Sequence, residues 1–249
     1  MKHLVYLFLI LLFTCKPPDQ TGEQEVSEKA FESHPEEFQE ILKAHGGLNT
    51  WQKMRSMTFE IVKEDGNEKH FVNLQDRRDR VEGLDFTMGF DGTDVWLEAD
   101  TSYNGDPEFY HNLMFYFYAM PFVLADPGIN YQPAEIFEFD GISWPGIHIS
   151  YDQGIGTSSK DEYFLYYHPE TYRMEWLGYT VTYFSNDVSE DVHWIRYSDW
   201  EDFNGLKLPV ALTWYEYQEG IPTEPRNRVD FVNTAIQTTE LPESLFNGP

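Results

Sequence analysis

The chain has 249 residues, with 43 Asp and Glu against 17 Lys and Arg, for a formal charge of −26. That balance argues against sequence-independent nucleic-acid binding, which needs clustered cations, and against electrostatic docking on anionic lipid. Hydrophobic residues make up 41% and aromatics 17%, too many for a disordered chain and favourable to strands with large buried faces. The single Cys excludes disulfide scaffolds, CxxC redox sites and Cys-based zinc sites.

Lys2 and His3 precede an unbroken apolar run over residues 4–13. Ten apolar residues are too few for a membrane-spanning helix, which needs about 20; the run fits the core of a secretory signal peptide. Cys15 follows directly, and Leu12-Phe13-Thr14-Cys15 resembles the lipobox of bacterial lipoproteins. The resemblance implies a signal peptide over residues 1–14 and lipidation at Cys15, whose acyl chains would anchor the chain to a membrane. Residues 16–30 hold Pro, Gly, acids and amides without an aromatic, so residues 15–30 read as the lipidated Cys and a flexible acidic tether. A single β-rich domain is expected over residues 31–249.

Ser33 and Glu36 stand at capping-box spacing, and Phe38, Ile41, Leu42 and His45 follow at helical intervals, predicting a helix that Gly46-Gly47 closes. A second short helical stretch carries Trp51. From Met57 the period becomes two, and Asp65-Gly66 and Asp91-Gly92 mark turns between short antiparallel strands. Residues 113–124 (LMFYFYAMPFVL) carry no charge and read as a buried central helix or a hydrophobic plug. Strands resume near 134–139, 146–151, 162–167, 173–184, 192–200, 208–217 and 226–233. An open sheet of about eleven strands must curl or split. The expected fold is therefore α+β and mostly β: a curved antiparallel half-open barrel with the N-terminal helix and the apolar helix against its concave face.

That element order is similar to the periplasmic lipoprotein carrier LolA and its relatives, which form a half-open barrel around a hydrophobic cavity. Residues 45–55 (HGGLNTWQKMR) look like the opening signature of a family of Gram-negative lipoproteins without an assigned activity. Residues 166–171 (YYHPET) resemble a strand–Asp-Pro-x-Thr–strand hairpin with His in place of Asp, and residues 200–209 (WEDFNGLKLP) resemble a late Gly-x-x-x-Pro hairpin. The resemblance implies a cavity for acyl chains or another apolar ligand.

Catalytic motifs are not found. No Gly-x-Ser-x-Gly elbow or His-Glu-x-x-His is present, and the Gly154–Lys160 stretch lacks P-loop spacing. Asp91–Asp94 lacks the remaining calcium-loop ligands and reads as a turn; His148, Asp152 and His193 read as isolated side chains rather than a metal site. No cofactor is expected. The aromatic residues carry the remaining signal, since ligand pockets are mostly apolar. Phe115, Phe117, Met120 and Phe122 from the helix side, and Trp51, Trp194 and Trp214 from elsewhere, are the candidate ligand-binding residues.

Three function classes follow. The first is a non-catalytic lipoprotein of the cell envelope, held to the outer membrane through Cys15, that binds a lipid, acyl chain or other hydrophobic ligand. The second binds or processes surface carbohydrate through Trp and Tyr faces. The third is an envelope-assembly protein without a small ligand. The sequence does not specify the oligomeric state.

Overall fold

The computed structural model describes residues 33–249 apart from positions 102, 153, 155–157, 159 and 186. The expected signal peptide, Cys15 and the tether lie outside the described residues. His34–Pro249 cluster as one unit.

Two helices open it, α1 (Glu36–Ala44) and α2 (Leu48–Lys53). The first begins at Glu36 because Pro35, not Ser33, sits at its N-cap; a residue before proline is driven away from helical geometry, so His34 cannot extend it. Phe38, Ile41 and Leu42 form its buried face, as their spacing predicts. Five strands follow: β1 (Ser56–Ile61), β2 (Glu68–Asn73), β3 (Asp79–Glu82), β4 (Phe86–Phe90) and β5 (Val95–Ala99). Alternation in β1 puts Met57, Phe59 and Ile61 on one buried face.

The apolar mid-chain run is not one helix. It forms α4 (Leu113–Tyr118), preceded by the single turn α3 (Pro107–Tyr110) and followed by a 3-10 turn at Phe122–Ala125. Pro121 divides the run, since it has no N–H to donate to the preceding turn. Nine strands complete the fold: β6 (Ile129–Pro133), β7 (Phe137–Phe139), β8 (Ile142–Trp144), β9 (Gly146–Tyr151), β10 (Tyr163–Tyr167), β11 (Met174–Tyr179), β12 (His193–Phe203), β13 (Leu206–Gln218) and β14 (Ile221–Gln237). Twelve of them form one antiparallel sheet in the order β5-β4-β3-β2-β1-β14-β13-β12-β11-β10-β9-β6. Its edge strands, β5 and β6, do not pair with each other, so the curved sheet is an open half-barrel.

The remaining two strands, β7 and β8, form a separate hairpin. This corrects the single strand expected near 134–139. Asp140 and Gly141 both take positive φ (52° and 74°) and fold the segment back on itself, the geometry that an Asp-Gly dipeptide favours. Strand β11 also ends earlier than expected, at Tyr179, because Thr182 turns away to bond Asp161 through its amide (2.6 Å) and hydroxyl (2.7 Å).

Residues opposite one another in a ladder share a face, and the register separates two cores. On the concave face Leu177, Ile195 and Trp214 line up across β11–β13, beneath α4. On the outer face Tyr166, Trp176, Trp194 and Tyr215 form an aromatic cluster under Phe137, Phe139 and Trp144 of the β7–β8 hairpin.

The motifs that carried the resemblance have physical roles. The Gly46 backbone (φ 108°) packs on the Gly205 carbonyl with no room for a side chain, while the His45 carbonyl accepts from the Lys207 amide at 2.8 Å. Helix α1 is thereby locked to the tip of the β12–β13 hairpin. That tip is a two-residue turn, Asn204-Gly205, with both φ positive (55° and 85°). In the other hairpin His168 substitutes for the usual Asp: its Nδ1 accepts from the Glu170 amide at 3.2 Å, as an Asp carboxylate does in an Asx-turn. Asp91 makes the ordinary version, accepting from the Thr93 (2.8 Å) and Asp94 (2.9 Å) amides.

Candidate functional site

Helix α4 is held over the sheet by hydrogen bonds and aromatic packing. The Tyr197 hydroxyl on β12 donates to the Phe117 carbonyl at 2.9 Å. Tyr118 stacks on Phe231 of β14 with ring centroids 3.9 Å apart, and its hydroxyl pairs with Thr234 at 2.7 Å. Phe117 meets Tyr179 and Trp214 edge-on. The helix turns these residues toward β12–β14. Leu113 and Tyr116, one turn apart, instead line a gap toward β9 and β10.

That gap is a cavity of about 220 Å³. Phe109, Leu113, Val123, Pro127 and Ile129 supply its apolar wall. The phenols of Tyr116, Tyr151, Tyr163 and Tyr183, the carboxylates of Glu108, Asp126 and Asp161, and Asn112 and Ser158 supply its polar groups. Burial pushes the Tyr116, Tyr151 and Tyr163 phenols above their ordinary pKa, and the nearby carboxylates add to the shift at Tyr151 and Tyr163. These rings therefore remain neutral hydrogen-bonding groups at physiological pH. Burial also raises the Asp126 and Asp161 pKa values, against the pull of Arg77 on Asp126 and of the Thr182 bonds on Asp161. Arg77 reaches both Asp126 oxygens, at 2.9 and 2.7 Å.

The rim is aromatic. Phe109 lies 5.0 Å from Tyr183 and 5.1 Å from Phe184, ring centre to ring centre, and Phe184 is 73% exposed. The Tyr183 hydroxyl donates to Asp106 at 3.2 Å, tying the segment after β11 to the N-terminus of α3. Asp106 itself caps α3 through the Glu108 amide.

The seven residues expected to bind ligand lie next to this cavity or away from it; none is among its lining residues. Trp51 stacks flat on Phe122 with centroids 4.9 Å apart, both buried. Phe115 is buried under the Arg77 guanidinium. Met120 is buried with its sulfur 3.4 Å from the Tyr197 hydroxyl. Phe117 packs on Trp214, whose indole donates to the Tyr179 hydroxyl at 3.0 Å. Trp194 lies on the outer face, 4.6 Å from Phe137, and donates to the Gly220 carbonyl at 3.0 Å. The signal missed in the sequence was the tyrosines: Tyr151 and Tyr163 sit on inward-facing positions of β9 and β10, opposite Ile129 and Ile149.

None of the seven Trp is exposed. Trp96 on β5 is covered by the C-terminal segment and donates to the Phe246 carbonyl at 2.9 Å. Among the described residues no group of His, Cys, Asp and Glu is arranged to hold a metal ion, and no helix is long and apolar enough to cross a membrane. His148 stacks on Phe164 at 4.8 Å, and the Asp152 carboxylate is bonded by Asn130.

No family model matches the sequence, and no curated protein matches it. Solved structures do. A DUF1329 family protein from Desulfovibrio piger aligns with a TM-score of 0.51 at 11% identity, covering 89% of this chain and 97% of that one. A LolA superfamily protein from Nitrosomonas europaea aligns with a TM-score of 0.48 at 12% identity, covering 90% and 97%. Identity at this level carries a likeness of fold alone, and the open antiparallel sheet is the architecture this chain has in common with the DUF1329 protein.

Proposed function

We propose that this is a cell-envelope lipoprotein, anchored through an acylated Cys15, whose concave face binds a small amphipathic or apolar molecule without chemical turnover. The observation that carries the binding reading is the cavity between α4 and strands β9–β10, with its wall of Phe109, Leu113, Val123 and Ile129. Pockets for small molecules have this makeup, mostly apolar with a few placed polar groups. At about 220 Å³ it lies below the ~300–1,000 Å³ usual for drug-sized ligands. A single short chain or ring fits it better than a diacyl lipid.

The carbohydrate reading gains nothing from the fold. It needs open aromatic platforms, and the outer-face tryptophans lie beneath the β7–β8 hairpin. The test of the binding reading is native mass spectrometry of the exported chain, residues 15–249, after incubation with octanol, alongside Leu113→Trp. Binding to the native chain that Leu113→Trp abolishes supports the cavity; octanol binding that persists in the variant places the ligand elsewhere, and no binding to either chain removes the proposal. Labelled palmitate incorporation, lost in Cys15→Ser, tests the anchor separately.

A further inference from the structure

The charged groups that line the cavity are all of one sign. Glu108, Asp126 and Asp161 contribute three carboxylates, and among the described residues that line the cavity there is no Lys, Arg or His. Arg77, just behind the lining, neutralises Asp126 alone. Lys160 precedes Asp161 in sequence but is exposed and outside the lining. The remaining polar groups are neutral, the four phenols with Asn112 and Ser158, and two of the phenols cluster: Tyr151 and Tyr163 lie 5.7 Å apart, ring centre to ring centre. Tyr151 feels the field of both Asp126 and Asp161, and Tyr163 that of Asp161. Asp126 and Asp161 therefore lie near the phenols of β9 and β10.

Resting on the reading that the cavity binds a ligand, we infer that its ligand class is a protonated amine on a short apolar stem. A carboxylate or phosphate head would face two uncompensated carboxylates in a partly buried setting, where screening is weak. An ammonium head supplies up to three donors to acceptors that are carboxylate and phenol oxygens, and bonds with both partners ionised are the stronger kind. The phenol faces add a second attraction, since cations sit favourably over aromatic rings. The aromatic rim of Phe109 and Tyr183 with the exposed Glu108 beside it continues the same chemistry outward.

The experiment compares three probes of equal chain length, octylamine, octanol and octanoate, binding to the exported chain by titration calorimetry at pH 7 and moderate salt. Octylamine is expected to bind at least about tenfold tighter than octanol, and octanoate more weakly than octanol. Asp161→Asn keeps an acceptor for Thr182 and is expected to lower the octylamine-to-octanol affinity ratio about tenfold. Glu108→Gln, at the exposed rim and outside the fold's hydrogen-bonded core, is expected to move the ratio the same way by a smaller factor. If octanol binds and octylamine binds no tighter, the amine preference is overturned while the cavity reading stands. If octanoate binds tightest, the same holds. If none of the three binds, the cavity reading falls and the amine inference with it.

Discussion

The Nδ1 atom of His111, at the end of α3, lies 2.6 Å from Oδ2 of Asp79 on β3, and both side chains are buried. The other Asp79 oxygen, Oδ1, has no hydrogen-bond partner. Burial raises the Asp79 pKa despite the His111 bond and the neighbouring His70. A second pair lies beside it: Glu68 accepts from His70 Nε2 and from the Tyr110 hydroxyl, each at 2.8 Å. Glu68 is also penalised by burial, but the His70 and Tyr110 bonds and the Lys63 charge outweigh that and lower its pKa. Helix α3, which carries the cavity residues Glu108 and Phe109, is thus fastened to β2 and β3 by its next two residues.

His111→Leu strands the Asp79 carboxylate in a dry site. Leaving a buried hydrogen-bonding group unsatisfied costs about 1–3 kcal/mol. Replacing both groups by apolar residues removes the orphaned carboxyl, so the double variant His111→Leu/Asp79→Leu is expected to recover most of that loss. Urea unfolding of the two single variants and the double variant gives the coupling, expected at about 1–3 kcal/mol. Additive losses would show that the two residues do not act as a pair.

His45 makes stability depend on pH. Its Nδ1 donates to the Ile41 carbonyl at 2.7 Å, and its Nε2 is buried with no partner. Burial pushes the imidazole pKa down from 6.5 to about 4. The folded state therefore prefers neutral His45, while the unfolded chain takes up a proton as pH falls below 6.5. The contribution is complete above pH 6.5 and is lost between 6.5 and about 4, a swing of about 3 kcal/mol. The difference in unfolding free energy between pH 7 and pH 4 should shrink by that order in His45→Gln. An unchanged difference would mean other groups set the acid limit.

Gly46 and Gly47 share a left-handed backbone, with φ 108° and 89°, but differ in surroundings. A Cβ on Gly46 would run into the Gly205 carbonyl, whereas one on Gly47 would meet nothing within 4 Å. Gly47→Ala, at φ 89° and ψ 144°, is expected to cost only the penalty of a backbone region open essentially to glycine, about 1–3 kcal/mol. Gly46→Ala must also separate α1 from the β12–β13 hairpin and break the Lys207 to His45 bond, for about 3 kcal/mol or more. Thermal unfolding of the two variants side by side reads the difference, and equal losses would remove the close approach as the reason for Gly46.

Much of this architecture is visible in the sequence because it is local. The period-two alternation at Met57, Phe59 and Ile61, the Asn204-Gly205 turn and the α1 face of Phe38, Ile41 and Leu42 each depend on neighbours within a few residues. The wrapping of the sheet is legible only through strand number, and the cavity-lining residues less so. Whether Phe115 or Tyr116 faces a void depends on which strands lie beneath α4, and nothing within the helix sequence records that. Apolarity ranks Phe and Trp first, yet Phe122 fills the space against Trp51. Four tyrosines line the gap alongside Phe109, Leu113, Val123 and Ile129, while Tyr118 and Tyr197 are fully buried.

The β7–β8 hairpin makes a last distinction measurable. Its two strands pair only with each other, so apart from flanking bonds such as Ala134 to Gly146 and Tyr167 to Pro145 it is held to the sheet by side chains. Phe137 is central, 4.6 Å from Trp194 and 5.6 Å from Trp176. A segment held this way opens on its own, at a free energy below that of global unfolding. Phe137→Ala is therefore expected to speed amide exchange through residues 138–143 and to expose tryptophan to acrylamide quenching, while the β12 and β13 amides keep their protection. Trp176→Ala acts differently, because Trp176 belongs to a strand of the main sheet and is fully buried. It is expected to cost about 3–5 kcal/mol globally and to lower protection in β11 and β12 together. If Phe137→Ala lowered protection throughout β11–β13 to the same extent, the hairpin would have to be counted as part of the global core rather than a cover laid over it.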